Sequence, residues 1–416
     1  MKFGIHTIDD VDVRNKTVLC RVDINEPVNK ISGQLKDTTR IDASLKTIQE
    51  LLQKKAKVII MAHQGSDIEY GNYYSLLPHF TYLSTKIPGL QYIDDVCGPA
   101  ALEKIRQLQP GQGLLLDNVR FMAEEQTLFE KALKLSFEEQ AKTLLVQRLA
   151  PIADLYVCDA FAAAHRSQPS LCGFEQCLPS CMGRLFEHEY ETLSKLMSAP
   201  EHTCVFVLGG AKVADAFMMM KTVLETGVAD SILTGGVVAN ILMLSQGRTV
   251  GNATKQYIYD GGYGDCVDIG KELLRHHSQK IIIPADFAWT SNHGRVEVSS
   301  ENITEQTPAL VDIGSATATG YADILQRAKT VFVNGPMGVF EKSDTELGTK
   351  TVFEAMANSQ AYTIVGGGDS IAALNKFHLM SRISYVCTGG GALIRFLSGE
   401  TLPVVQALRN SSMLAG

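Results

Sequence analysis

Along the first part of the chain, short apolar runs alternate with stretches whose apolar residues fall three and four positions apart. Residues 17–22 read as a strand, residues 41–53 as a helix with Ile41, Leu45, Ile48 and Leu52 on one face, and residues 58–62 as the next strand. Further strands are predicted at 114–116 and 155–158, with a helix over 138–149 between them. The same rhythm resumes after residue 200, with strands near 205–208, 231–234, 281–284, 330–334, 363–365 and 384–387. Strands that are apolar on both faces and alternate with helices belong to parallel sheets built from βαβ units. Between the halves, Met182, Leu185, Phe186, Tyr190, Leu193, Leu196 and Met197 mark one face of a helix over 182–198, stopped by Ala199-Pro200.

A chain of 416 residues exceeds one core of ordinary size. The expected architecture is therefore α/β, with two Rossmann-like lobes, each a parallel sheet flanked by helices, joined by a long interdomain helix. The boundaries read as 1–181 for the first domain, 182–200 for the connecting helix, 201–395 for the second domain and 396–416 for a tail.

Thirty-eight basic against forty-five acidic side chains give a net charge of −7, which argues against a surface that coats nucleic acid. No apolar run approaches the length of a bilayer span, and the first residues lack a signal-peptide core, so a cytoplasmic protein without membrane partners is expected. Nine cysteines, an odd number scattered through apolar strands, suit reduced buried thiols. Cys172, Cys177 and Cys181 lack the spacing of a metal site and read as structural.

Four apolar runs of the second half end in glycines that open a helix: Gly209-Gly210-Ala211-Lys212, Gly235-Gly236, Gly366-Gly367-Gly368-Asp369-Ser370 and Gly389-Gly390-Gly391. Glycine permits close approach of a ligand to the backbone, and the N–H groups of a helix start favour anionic oxygens. One such turn is ordinary α/β punctuation; four at the ligand-binding edge of one sheet suggest nucleotide phosphates. The first half ends its strands differently, in Arg21-Val22-Asp23-Ile24-Asn25, Ala62-His63, Asp117-Asn118-Val119-Arg120 and Asp159-Ala160-Phe161 leading to His165-Arg166, with Arg40 opening the first helix. Arginine forks with a histidine suit a small, multiply anionic molecule. The plainer reading pairs Arg21 with Asp23, and Arg40 with Asp37 or Asp42, as surface ion pairs. Neither G-x-x-x-x-G-K-[ST] nor G-x-G-x-x-G is present, which disfavours a P-loop and a dinucleotide fold. Lys212 at a helix start, Asp369 in a triple-glycine turn, Arg40, and the segment Asn334 to Glu341 after a strand supply the residue types of phosphoryl transfer. A solvated lysine and a helix N-cap remain the ordinary alternatives for Lys212 and Asp369.

These segments together resemble the phosphoglycerate kinase family. Arg21-Val22-Asp23-Ile24-Asn25-Glu26-Pro27 is similar to its opening motif, and Asp117-Asn118-Val119-Arg120-Phe121 and Asp159 through Arg166 to its two arginine loops. Leu208 to Val213, Asn334 to Glu341, Gly366 to Ser370 and Thr388 to Ala392 resemble its nucleotide lobe, all in family order. His63-Gln64 and Ala162-Ala163-Ala164 look closest to the archaeal-type branch. The resemblance implies that the first domain binds 3-phosphoglycerate or 1,3-bisphosphoglycerate through Asp23, Asn25, Arg40, His63, Arg120 and Arg166. It implies that the second binds ADP or ATP with Mg²⁺ through Lys212, Asn334, Glu341, Gly366, Gly367, Gly368, Asp369 and Ser370, with Asp369 on the metal. Arg40, Lys212 and the N–H groups of Gly368 and Gly391 would stabilise the phosphoryl group in transit, and hinge closure about the connecting helix would exclude water. A monomer or weak homo-oligomer with small-molecule partners is implied, its tail folding back on the first domain.

Two departures stand out. Gly65 and Ser66 occupy the place where the family carries an arginine after the histidine, which implies a weaker hold on substrate, a compensating Arg21, or an altered acid preference. Ala216 stands where bacterial and eukaryotic members carry a second lysine, a place also without lysine in archaeal-type sequences. Two other readings stay open here: a kinase for a related phosphorylated acid, and a catalytically silent protein that binds nucleotide or phosphoglycerate.

Overall fold

The computed structural model describes residues 1–29, 31–65 and 73–414. The chain divides into two compact units, one of Met1–Thr192 together with the segment from Thr401, the other of Leu193–Glu400. In the first, strands β1 (Thr17–Arg21), β2 (Lys57–Met61), β3 (Gln91–Ile93), β4 (Gly113–Leu116), β5 (Leu155–Cys158) and β6 (Ser180–Met182) form one parallel sheet in the order β3-β4-β2-β1-β5-β6. β1 runs at its centre, with Val18 in register with Val58 on one side and Leu155 on the other. The residues of β4 and β5 are buried throughout, which is why these strands read as unbroken apolar runs.

The second unit repeats the design. β7 (Cys204–Leu208), β8 (Ser231–Thr234), β9 (Ile281–Ile282), β13 (Thr330–Asn334), β14 (Tyr362–Gly366) and β15 (Tyr385–Val386) form a parallel sheet ordered β15-β14-β13-β7-β8-β9. Between β9 and β13 the chain adds a small antiparallel sheet of β10 (Asp286–Ser291), β11 (Gly294–Ser299) and β12 (Asp312–Ile313). Its strands are short and half polar, so no apolar run announces them.

The predicted helix over 138–149 is two helices, Phe137–Gln140 and Leu144–Leu149. Gln140 is buried, and its carboxamide donates to Ser167 Oγ at 2.8 Å and to the Leu135 carbonyl at 3.1 Å. That tertiary anchor, with Thr143 Oγ1 donating to the Gln140 carbonyl, ends the first helix despite a continuous apolar pattern. Met182 closes β6 rather than opening the long helix, which spans Arg184–Ser198. Its start is set by Asp159, whose carboxylate accepts the Leu185 and Phe186 N–H groups at 2.8 and 3.1 Å. The expected strands at 281–284 and 384–387 each shorten to two residues.

The last helix, Pro403–Leu414, belongs to the first unit. Arg409 donates to Tyr190 Oη at 2.9 Å and to the Phe3 carbonyl at 3.2 Å, and Ser411 Oγ to the Leu178 carbonyl at 3.3 Å. Cys177 is the one exposed cysteine; the others are buried free thiols. Among the described residues, no helix is long and apolar enough to cross a membrane.

Candidate active site

Strands β4, β2, β1 and β5 are neighbours, so the loops leaving their carboxyl ends converge on one edge of the first sheet. Arg21 ends β1, Asp23 follows it, His63 lies just beyond β2, and Arg120 sits in the turn Val119–Phe121 after β4. Asn118 ties two of these loops together. Its Oδ1 accepts Gln64 N–H at 3.0 Å and Arg120 N–H at 3.1 Å, while its Nδ2 donates to the Gln64 and Tyr74 carbonyls at 2.9 Å. Asn25 Oδ1 holds Gly65 N–H at 2.9 Å, and Asp23 accepts Asn25 N–H at 3.1 Å.

Charge on this edge is lopsided. Arg40 does not take Asp37 or Asp42; it reaches Asp23 Oδ2 at 2.9 Å and keeps about a third of its surface open. Asp37 instead caps the Thr38 and Thr39 N–H groups, and Asp42 receives the Tyr82 hydroxyl. Arg166 donates to Thr127 Oγ1 at 3.2 Å and stands 3.9 Å from Glu130. Arg120 is completely buried, yet none of its guanidinium nitrogens has a hydrogen-bond partner among the described residues; only the Tyr73 ring lies over it, at 5.7 Å. Burial and the nearby Arg166 and Arg21 lower its hold on its proton. Burial, reinforced by Arg21, Arg120, Arg166 and Arg40, keeps the His63 imidazole well below its ordinary pKa and therefore neutral. A buried cation whose hydrogen bonds are unmade is costly unless an anion arrives to accept them.

Arg21 offers no such free fork. It is fully buried, with its nitrogens engaged by Ser170, the Val22 carbonyl and His63, so it cannot stand in for the arginine missing at position 66. Ser66 itself lies outside the described residues.

In the second unit the glycines divide into two jobs. A Cβ on Gly209 would land on the Pro336 carbonyl, one on Gly235 would lie 2.7 Å from Met337 Sδ, and one on Gly335, at φ +93°, would strike the Gly209 carbonyl. Two backbone turns there pack directly on each other, with Gly209 N–H donating to Asn334 O at 3.0 Å and Gly210 N–H to Pro336 O at 2.8 Å. These glycines serve the protein itself. Gly366 likewise lies buried against Leu393. A Cβ on Gly368 would meet nothing within 4 Å, and its backbone is an ordinary helix start, so nothing in the protein demands glycine there.

That open space is a cleft lined by Lys212, Asp215, Ala216, Asn334, Gly367, Gly368, Asp369 and Ser370. Ser370 Oγ accepts Gly335 N–H at 2.7 Å, which locks the β13 turn against the helix Gly368–Lys376. Lys212 is exposed at the start of the helix Val213–Glu225, and Gly391 is exposed in the first turn of Gly390–Leu397, whose Gly390 also lines the cavity. A second, largely apolar hollow of about 460 Å³ shares Gly210, Ala211 and Asp369 with the first and runs past Val237, Leu310, Val339 and Phe340 to Glu341. A polar, glycine-walled end joined to an apolar end is the shape of a nucleotide.

Among the described residues, no group of three or more histidine, cysteine, aspartate or glutamate side chains could cage a metal. Asp369 and Asp215 are two carboxylates in the same cavity. That donor set fits a magnesium ion carried mainly by nucleotide oxygens and water, which needs only one or two protein carboxylates. Asp215, Asn118, Glu125 and Ser170 escaped the sequence reading. Asp215, three residues after Lys212 in the helix Val213–Glu225, had the one available signal.

The phosphoglycerate kinase family model matches residues 8–400. The chain belongs to the phosphoglycerate kinase family. It is 42% identical over 414 residues to the phosphoglycerate kinase of Methanobacterium bryantii, covering 99% of both chains. It is 41% identical to that of Thermococcus kodakarensis, covering 97% of each. Among solved structures, the phosphoglycerate kinase of Pyrococcus horikoshii superposes with a TM-score of 0.88 at 38% identity, over 99% of this chain and all of that one. The enzyme from Coxiella burnetii gives 0.82 at 30% identity, over 98% and 99%. The chain is thus a phosphotransferase with a carboxyl-group acceptor, and the reversible transfer of a phosphoryl group between 1,3-bisphosphoglycerate and ADP is the reaction of its family.

Proposed function

We propose that the cationic edge of the first unit holds 3-phosphoglycerate or 1,3-bisphosphoglycerate through Asp23, Asn25, Arg40, His63, Arg120 and Arg166. The buried guanidinium of Arg120, without a hydrogen-bond partner among the described residues, carries this reading. A phosphate or carboxylate placed against it restores the hydrogen bonds that its burial removed. Asp23 orients the Arg40 fork, and neutral His63 adds a hydrogen bond without adding charge.

In the second unit, ADP or ATP lies with its base in the apolar hollow, its ribose toward Glu341 and its phosphates over Gly367 to Ser370, with Asn334 and Lys212 flanking them, while Gly366 packs beneath against Leu393. Magnesium, when bound with the nucleotide, neutralises phosphate charge, and Asp369 would hold it. The reaction breaks the bond between phosphorus and the acyl oxygen of 1,3-bisphosphoglycerate and forms one to the terminal phosphate oxygen of ADP. No proton moves and no enzyme residue is phosphorylated. What remains for the protein is positioning and charge stabilisation by Arg40, Lys212 and the N–H groups of Gly368 and Gly391. The helix Arg184–Ser198, whose residues belong partly to each unit, serves as the hinge element, and the enzyme works in the cytoplasm as a monomer or weak homo-oligomer.

A coupled assay of ATP formation from ADP and 1,3-bisphosphoglycerate tests this, with Arg120→Met and Lys212→Met run beside the wild type. Binding of both ligands without ATP formation by the wild type would refute it. A preference for a different acyl phosphate would move the assignment to another acid.

A further inference from the structure

Arg21 stands wholly buried at the end of β1, and a guanidinium can only donate hydrogen bonds. It therefore sets the direction of every bond it makes. Its Nε–H donates to Ser170 Oγ at 3.0 Å and its Nη1–H to the Val22 carbonyl at 2.6 Å. Across the 3.1 Å contact between Nη2 and His63 Nδ1, the arginine must again be the donor. A ring nitrogen that receives a hydrogen bond carries no proton, so the single proton of the neutral imidazole is left on Nε2. On its other side the line continues to Glu125. Ser170 Oγ, having accepted from Arg21, gives its own proton to Glu125 Oε2 at 2.7 Å, while Ser170 N–H donates to Glu125 Oε1 at 2.5 Å. All four residues are buried.

We propose that Glu125 and Ser170, acting through Arg21, are positioning residues that hold His63 as a neutral ring with Nδ1 bare and Nε2–H as its only donor. His63 then meets the anionic substrate as a hydrogen-bond donor and never as an acid or base. This rests on the reading that His63 contacts phosphoglycerate. The charged groups around the ring act in the same sense: Arg21 from β1, Arg40 from the helix Thr39–Gln53, Arg120 from the turn after β4 and Arg166 from the loop after β5 all oppose a further positive charge. The opposing carboxylate, Glu125, spends its oxygens on Ser170 and its field on Arg21. Ser170 is 149 residues from Arg21 in sequence, and only the fold joins them.

Nitrogen-15 NMR of the imidazole rings in the full-length protein reads tautomer and charge directly, with His63 assigned by the signal missing in His63→Gln. Nδ1 is expected at the shift of a bare nitrogen, unchanged from about pH 5.5 to about 8, where an ordinary histidine would titrate. Ser170→Ala should release the ring, mixing the tautomers and moving its protonation up by about one pH unit or more. It should also raise KM for 3-phosphoglycerate several-fold, with kcat changed by less than about twofold, as for lost binding that is uniform in ground and transition states. Ser170→Thr, which keeps the hydroxyl, should restore the wild-type spectrum. A wild-type His63 that titrates at its ordinary pKa, or that carries its proton on Nδ1, overturns the inference, and this measurement decides even if Ser170→Ala fails to fold. Adding 3-phosphoglycerate tests the underlying reading separately. An unmoved Nε2 signal at saturation, with the tautomer as expected, would remove His63 from the substrate site.

Discussion

Replacing Arg120 with methionine should make the ligand-free protein more stable and its substrate binding much worse. The side chain is fully buried with no hydrogen-bond partner among the described residues, and the Tyr73 ring at 5.7 Å and the charge of Glu125 are what offset its burial. A buried charged donor left unsatisfied costs at least ~1–3 kcal/mol, against ~0.5–2 kcal/mol returned by a cation–π contact. An unbranched apolar chain of similar reach removes both, for a net gain of ~1 kcal/mol. In a unit of this size, that corresponds to a rise in Tm of about 2–4 °C. On the other side of the comparison, a hydrogen bond to a charged partner is worth ~1.5–3 kcal/mol. Its loss should raise the Kd for 3-phosphoglycerate by about 10- to 150-fold. Thermal denaturation with and without 3-phosphoglycerate, together with calorimetric titration, measures both quantities. Substrate should raise the Tm of the wild type more than that of the variant. A variant that melts lower, as an ordinary core truncation does, and binds 3-phosphoglycerate as before would show that Arg120 is a structural side chain.

Arg40→Ala should cut kcat by about 10²–10³ with a smaller change in KM, as removal of a transition-state contact does, and steady-state kinetics giving unchanged turnover would take that job from it. Gly368→Ala should fold normally and bind ADP at least several-fold more weakly by calorimetry, because its Cβ meets only the open cavity. Gly366→Ala, aimed at Leu393, should lower Tm instead, and equal effects of the two would refute the division of glycine roles. Asp369→Ala should raise the Mg²⁺ concentration needed for half-maximal activity, whereas an unchanged Mg²⁺ titration would take Asp369 out of the metal complex. Burial pushes the Asp159 carboxyl up to about 7 despite bonds from Thr47, Phe186 and Leu185. Unfolded, it ionises near ~3.9, so between these values the folded protein keeps a proton that the unfolded chain has lost. Stability from this group therefore falls as pH rises from about 4 to about 7 and levels off above; Asp159→Asn should flatten that slope in Tm measured against pH, and an unaltered slope would assign it to other groups.

The strands that were legible are the ones buried on both faces. β1, β2, β4, β5, β7, β8, β13 and β14 carry unbroken or nearly unbroken apolar runs because helices cover both sides of a parallel sheet, and burial leaves that mark in composition. β3, β10 and β11 left no such mark, being partly solvated, and β6 and β12, though buried, are too short to show one. The break between Gln140 and Leu144 was hidden for a different reason: the periodicity continues, and it is the tertiary bond from Gln140 to Ser167 that stops the first helix at Gln140.

Residue type, order and the turns that end each strand were thus determined by the chain alone, since backbone conformation and apolar periodicity depend on near neighbours. These were enough to place glycines on one sheet edge and arginines on another. What each of those residues does was decided by tertiary structure. Arg21 turned inward to Ser170 and His63 while Arg120 was left without a hydrogen-bond partner among the described residues, and Gly209 and Gly335 went to backbone packing while Gly368 was left facing open space. Hydrogen bonds and steric contacts reach only a few ångströms, and the partners that settle these roles lie as much as 149 residues away along the chain.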